Sequence, residues 1–187
     1  MDLPIRTHRL YITEFDESMA EIVHLNSLDD DNRRFVPDEV FETIDKAKEI
    51  LSWLISSYSQ NDAPLVYPII LKNGQNIGYV QAVPISNGWE VGYHVAKPFT
   101  GNDYATEAVS AFLPHIMQKI GISEIYGICR ADNIASCKVL EKCGFKLEFD
   151  GISKYHGEDH HIHRYKYYYE NSETAGRFCC STNPAAC

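Results

Sequence analysis

Apolar and polar positions follow two different periods along this chain, and the change of period divides it into segments. Two-residue alternation, the mark of a strand with one buried face, runs through Trp89–Val95, and the apolar-rich runs Leu65–Leu71 and Ile77–Val83 before it also read as strands. Asn73-Gly74 and Asn87-Gly88 separate these runs, and Asn-Gly is the strongest short signal for a hairpin closed by a type I′ turn. An antiparallel meander is therefore predicted, with Pro68 placing its strand at an edge or directing the missing N–H away from the ladder. Helical spacing takes over at Ala105, Ala108, Val109, Phe112 and Ile116. Pro114 removes the N–H that would bond to Ser110, so a kink or an early end is expected there. Upstream, Thr43 caps an amphipathic helix whose stripe is Ala47, Ile50, Leu51, Leu54, Ile55 and Tyr58.

The flanks complete the pattern. Ile5–Phe15 reads as a first strand, and Asp16 as the N-cap of a short helix carrying Met19, Ile22, Val23 and Leu25. The acidic run Asp29-Asp30-Asp31-Asn32-Arg33-Arg34 reads as a solvated loop. Beyond residue 120, strands are expected at Glu124–Cys129, Phe145–Ile152 and Ile162–Glu170. A helix is expected at Asn133–Cys143, ended by Gly144 with Phe145 packing back on its last turn. A meander followed by β-α-β-α-β makes an α+β fold with a mixed sheet. The chain of 187 residues suits one core, so residues 1–170 are read as a single domain and 171–187, which lack apolar periodicity, as a flexible C-terminal tail.

Charge and cysteine content then narrow the partners. Against 17 Lys and Arg stand 26 Asp and Glu, a net charge of −9, which argues against nucleic acid and anionic membrane surfaces and suits a cationic partner. No run is long enough to span a bilayer and the N-terminus carries no signal-peptide core, so a cytoplasmic location is expected. The six cysteines include no C-x-x-C, so free thiols are the default.

The candidate chemistry begins at Lys97-Pro98-Phe99-Thr100-Gly101-Asn102-Asp103-Tyr104-Ala105-Thr106-Glu107-Ala108. This run joins a strand to a helix, and the first turn of a helix offers unpartnered N–H groups and partial positive charge. Gly101 lets backbone approach a ligand, so a pyrophosphate could sit on the amides of residues 101–106. A well-capped helix with a glycine in its entry turn is the plainer alternative. No G-K-[ST] follows Gly101, which excludes a P-loop.

Taken with Asn133-Ile134-Ala135-Ser136, Val139-Leu140-Glu141-Lys142-Cys143-Gly144-Phe145 and the opening Thr7-His8-Arg9-Leu10, this run resembles the GCN5-related N-acetyltransferase (GNAT) superfamily. The resemblance covers roughly Ile5 to Tyr169 and is narrower toward the branch of ribosomal-protein N-terminal acetyltransferases. It implies a mostly antiparallel twisted sheet of six to seven strands with about four helices, splayed where acetyl-CoA enters. It assigns the pyrophosphate to Gly101, Asn102, Asp103, Tyr104, Ala105 and Thr106. The pantetheine and thioester fall to the backbone of Tyr93, His94 and Val95, with Asn133 as a further pantetheine contact. Asp103 stands where the family pattern usually has a second glycine, and Thr100 where Gln, Arg or Trp is common; binding is expected to survive but weaken.

Acetyl transfer to an amine needs a base and an acid. Glu90 and His94 share a strand face with Gly92 between them, and either could take the proton; Glu90 is the stronger candidate. Gly92 itself fits a bulge, a close ligand approach or an ordinary pleat. The residue seven after Asn133, a Tyr in many members, is Leu140. The branch resembled instead places a Ser three residues after the Asn, here Ser136, which the resemblance implies as the acid or a cofactor contact; its plainer role is that of a first-turn residue with a capping function. Tyr155, His156 and Asp159 are read as acceptor-pocket residues, and the acidic run 29–34 could form a flexible acceptor-binding wall. His161 and His163 with Glu158 and Asp159 invite a metal, but the family resembled has none, and none is expected. Cys137 and Cys143 lack a neighbouring His in sequence and read as core residues. The expected function is acetyl transfer from acetyl-CoA to a primary amine, a small molecule or a peptide N-terminus, by direct attack in a ternary complex; a homodimer is compatible. A non-catalytic acyl-CoA-binding domain is the alternative.

Overall fold

The computed structural model describes residues 1–60 and 62–169; the segment read as a tail lies outside the described residues. Eight strands form one sheet: β1 (Ile5–Arg6), β2 (Leu10–Ile12), β3 (Leu65–Leu71), β4 (Asn76–Ile85), β5 (Gly88–Val95), β6 (Glu124–Arg130), β7 (Lys146–Tyr155) and β8 (Glu158–Tyr168). Their order is β1-β2-β3-β4-β5-β6-β8-β7, antiparallel everywhere except between β5 and β6. Five α-helices accompany them among the described residues: α1 (Ala20–Ser27), α2 (Asp30–Phe35), α3 (Ile44–Ser57), α4 (Tyr104–Ile120) and α5 (Ile134–Lys142). The count therefore exceeds the expected six to seven strands and four helices, within the same mixed α+β architecture.

The sheet is the middle of three layers. On one face, Ala108, Val109, Phe112, Leu113, Ile116 and Met117 of α4 and Leu140 of α5 join Leu10, Ile12, Tyr67, Ile69, Val80 and Val91 in the main core. On the other, Ala47, Leu51 and Leu54 of α3 pack with Ala20 of α1, Phe15 and Val66. Each fully buried Val, Leu, Ile, Met or Phe side chain among them contributes about 2 kcal/mol. β3 supplies Val66 to one core and Leu65, Tyr67 and Ile69 to the other, so it is covered on both faces.

Several local expectations are corrected. Ile5–Phe15 is not one strand: Thr7 Oγ1 accepts the Leu10 amide at 2.8 Å, turning the chain so that β1 and β2 form a hairpin. Asp29–Arg34 is not a loop. Asp29 caps the Asn32 amide at 2.8 Å and starts α2, with Asp30 and Asp31 in its first turn and Arg33 and Arg34 in its last, the order the helix dipole favours. β3 is interior, but its pairing with β2 covers only Ile69 to Leu71 and stops one residue short of Pro68, so on that side a missing N–H costs no bond. α4 runs through Pro114 to Ile120, because Ile116 and Met117 beyond it are fully buried and hold the last turn. The hairpins at Asn73-Gly74 and Asn87-Gly88 form, yet neither Asn has positive φ, so neither is type I′. Positive φ at two successive residues occurs instead at His156 (50°) and Gly157 (85°), which close β7 onto β8.

One relationship positions everything that follows. β5 pairs with β4 along its length, from Ile85 opposite Gly88 to Gly78 opposite Val95, but it meets β6 only where Glu90 lies opposite Tyr126. From Val91 onward the two halves of the sheet part.

Candidate active site

A cleft of about 1100 Å³ opens at this fork. It is lined by Glu90, Tyr93, His94, Val95, Gly101, Asp103, Tyr104, Ala105, Thr106, Asn133, Ser136, Tyr155 and His156, so one cavity gathers nearly all the residues singled out in sequence. Two stay outside it. Asn102 turns its amide back to the Phe99 and Thr100 carbonyls, each at 3.1 Å. Asp159 is exposed and paired with Lys154 at 3.3 Å.

At the mouth, Gly101 (φ 78°) and Asp103 (φ 59°) are both left-handed and deliver the chain into α4. Asp103 occupies the N-cap position without making a cap hydrogen bond. Its carboxylate reaches Lys142 Nζ at 2.6 Å, which holds it below the usual carboxylate range. The first-turn amides of α4 are thus left without a side-chain cap, and Thr106 Oγ1 beside them is buried with no hydrogen-bond partner among the described residues. Uncapped amides and an orphaned hydroxyl at the start of a 17-residue helix form a cradle suited to phosphate oxygens, with Lys138 and Lys142 on the same wall. The expected charge conflict at Asp103 is answered locally by Lys142.

Deeper in, α5 is capped by Asn133 Oδ1 accepting the Ser136 amide at 3.1 Å. The Tyr93 hydroxyl lies 2.9 Å from Ser136 Oγ and donates to the Ser136 carbonyl at 3.0 Å. Burial pushes that phenol well above its ordinary range. Leu140 is fully buried against β6, and a Cβ on Gly127 would come within 2.4 Å of its Cδ2. The Tyr common in the family at this position is therefore replaced by a core contact, and Ser136 is the hydroxyl that faces the cleft.

The opposite wall belongs to Glu90. Burial pushes its carboxyl up to about 7, with Glu39 adding to the rise and a hydrogen bond from the Ile128 backbone opposing it. His94, by contrast, is engaged: its Nε2 is 2.9 Å from Asp29 Oδ2. Burial raises the Asp29 carboxyl, but the bonds from His94 and the Asn32 amide outweigh it and hold the group low. The acidic segment is therefore a structured wall of the cleft, not a solvated loop.

Gly92 is regularly paired with Gln81, so it is an ordinary position of the pleat and not a bulge. A Cβ there would lie 2.7 Å from Gln81 Nε2; the missing side chain lets Gln81 lean over β5 and donate to Glu39 Oε1 at 2.8 Å. The sheet's register shifts lie at Ile69/Ile70 and Leu147/Phe149 instead. Glu39, in the short 3-10 turn Pro37–Glu39, was not anticipated from sequence, because Val36-Pro37-Asp38-Glu39 has neither periodicity nor motif.

His156 Nδ1 bonds Asp38 Oδ2 at 2.7 Å, tying the β7–β8 turn to that same segment. Away from the cleft, the carboxylate that meets His161 and His163 is Asp150, with the three ligand atoms within 4.8 Å of one another; Glu158 and Asp159 take no part. Cys137, with no His near it in sequence, has His163 Nδ1 at 3.4 Å and Cys129 Sγ at 3.5 Å, all brought together by β8. Among the described residues no helix is long and apolar enough to cross a membrane.

Comparison with known proteins bears on this geometry. A family model for the acetyltransferase (GNAT) domain matches residues 9–146. The uncharacterized N-acetyltransferase YnaD of Bacillus subtilis (strain 168) is 26% identical over 147 residues, spanning 77% of this chain and 83% of the relative. The fold is similar to that of an acetyltransferase (GNAT family) from Bacillus anthracis, with a TM-score of 0.75, 22% identity, and 88% and 97% of the two chains covered. RimL, a ribosomal L7/L12 alpha-N-protein acetyltransferase solved in complex with coenzyme A, superimposes with a TM-score of 0.75 at 20% identity, covering 89% of this chain and 97% of RimL.

Proposed function

Given that the chain belongs to the GNAT acetyltransferase family and acts as an acetyl-CoA-dependent N-acetyltransferase, we propose that Glu90 and Ser136 carry the proton transfers of its reaction. The observation that carries this reading is the placement of Glu90 at the fork of the sheet, with its carboxyl pushed up to about 7. A base whose pKa lies near the working pH combines adequate ionisation with adequate basicity. An alkylamine, near ~10 in water, arrives protonated and must lose a proton before it can attack.

In this reading the donor's phosphates rest on the amides of residues 101–106 and on Thr106 Oγ1. Its pantetheine arm enters between β5 and β6 past Asn133, and its thioester carbonyl meets the free backbone edge of Tyr93, His94 and Val95. Glu90 takes the proton from the amine, which attacks the thioester carbon directly. The departing sulfur receives a proton from Ser136 Oγ, which regains one from the solvent that takes up the second proton shed by the acylated nitrogen; the Tyr93 hydroxyl 2.9 Å away positions that oxygen. Tyr155 and His156 face the acceptor, and Asp159 has no part. The non-catalytic alternative loses its two supports, since Asp103 is neutralised by Lys142 and Leu140 serves the core while Ser136 faces the cleft. A cytoplasmic setting suits the free thiols Cys129, Cys137 and Cys143.

The test is release of free thiol from acetyl-CoA across a panel of amines. Glu90→Gln is expected to lower kcat/KM by ~100-fold at pH 8 while acetyl-CoA binding stays within about twofold. Turnover equal to that of the parent would remove Glu90 from the chemistry.

A further inference from the structure

Proton abstraction needs one carboxylate, yet among the described residues the cleft holds two without an ion-pair partner, although His94 and His156 lie close enough to Glu39 to favour its ionised form. Of its six acidic residues, four are paired: Asp29 with His94, Asp31 with Lys97, Asp103 with Lys142, and Asp132 with Arg34 and Arg130. Glu90 and Glu39 are the remaining two. Glu39 Oε1 accepts from Gln81 Nε2 at 2.8 Å, whereas Oε2 is buried and has no hydrogen-bond partner among the described residues.

A buried carboxylate oxygen without a partner is costly, and proteins retain such groups where a ligand completes them. The placement here is built rather than accidental. Gly92 makes room for Gln81, and Gln81 fixes Glu39 over β5 at the level of Gly92. Glu90 lies two residues along the same strand and on the same face, roughly 7 Å away at the rise of a β-strand. A hydroxylated or neutral acceptor would leave one of these carboxylates unsatisfied.

We propose that Glu39 and Glu90 together form an acceptor subsite for an amine bearing a second positive charge, such as a short diamine. Glu90 takes the proton from the attacking nitrogen, and Glu39 Oε2 receives the other ammonium, which stays charged and anchors the acceptor. This rests on the reading of Glu90 as the base. Burial pushes Glu39 up in the free protein, and a bound cation favours its ionised form.

The experiment compares 1,4-diaminobutane with 1-aminobutane, using thiol release by the full chain and by Glu39→Gln. It is run at pH 8.5 so that Glu90 is ionised in both proteins. The parent is expected to favour the diamine by ~100-fold in kcat/KM, and Glu39→Gln to cut diamine turnover at least tenfold while changing the monoamine by less than about threefold. A parental preference within threefold overturns the proposal whatever the variant does, as does a preference that persists undiminished in Glu39→Gln. If neither amine is acetylated, the base is still judged separately, by Glu90→Gln on an amine that the parent accepts. Calorimetric titration of 1,4-diaminobutane into the two proteins then decides the subsite: binding lost in the variant upholds it, and equal or absent binding in both overturns it.

Discussion

Arg9 binds Glu107 twice, through its backbone amide at 2.8 Å and its guanidinium Nε at 2.6 Å, across 98 residues of chain. Thr7 Oγ1 donates a third bond at 2.6 Å, while Arg9 Nη1 reaches the Asn102 carbonyl at 2.9 Å and the guanidinium covers the Tyr104 ring. The β1–β2 hairpin thus clasps the turn that would hold the phosphates. Burial raises the Glu107 carboxyl, but the bonds from Thr7 and Arg9 outweigh it and keep the group below its ordinary value. A depressed folded pKa gives stability that is present above the unfolded value of 4.5 and is lost as pH falls through the folded one. Glu107→Gln should therefore cost about 2 kcal/mol at pH 7 and much less at pH 3, measured by urea unfolding, and should weaken acetyl-CoA binding at pH 7.

For Glu90 the sign is reversed. Its folded value of about 7 lies above the ordinary 4.5. The associated stability is fully present below the unfolded value and is lost as pH rises through about 7. Glu90→Gln should accordingly unfold later than the parent at pH 8, by up to about 3 kcal/mol, and match it at pH 4. Activity runs the other way: kcat/KM of the parent should climb through an ionisation near 7, and the variant should lose that limb.

Asp103 and Lys142 should act as a pair on the donor. Lys142→Ala exposes the Asp103 carboxylate to the phosphates and should weaken acetyl-CoA binding several-fold, read by calorimetry. In an Asp103→Gly background the same lysine change should cost less than half as much in log Kd. Asp103→Gly alone should raise the melting temperature modestly, because φ of 59° is left-handed and suits glycine. Additive effects of the two substitutions would mean that Lys142 reaches the donor independently of Asp103.

Ser136→Ala should separate chemistry from capping. The cap of α5 uses the Ser136 amide and the Asn133 side chain, so removing the hydroxyl leaves it intact and the melting temperature should stay within about 1 °C. Loss of proton donation should lower kcat by ~10- to 100-fold with acetyl-CoA affinity nearly unchanged. A fall in affinity with unaltered kcat would make Ser136 a donor contact and nothing more.

The elements legible in sequence are those specified by neighbours along the chain. Thr43 accepting the Lys46 amide, Asn133 accepting the Ser136 amide and Gly144 in the left-handed region all obey rules that span a few residues. The errors fall where distant segments decide. Ile5–Phe15 breaks at Thr7–Arg9 because Glu107 claims that stretch, and α4 survives Pro114 because the core beneath Ile116 and Met117 outweighs one lost bond. The turn at Gly101–Asp103 was readable because its glycine and the start of α4 are adjacent in sequence. Glu39 was not, since its significance comes from Gln81 and Gly92 on two later strands.

The fork between β5 and β6 makes the sheet an unfinished object. With the strands joined only where Glu90 faces Tyr126, the five-strand and three-strand halves have a seam that the chain itself does not sew. A donor lying in that seam would supply the missing rungs, so the protein would be stiffest when loaded and would loosen each time coenzyme A departs. Turnover would then carry a mechanical rhythm, with product release and the parting of two half-sheets being one event.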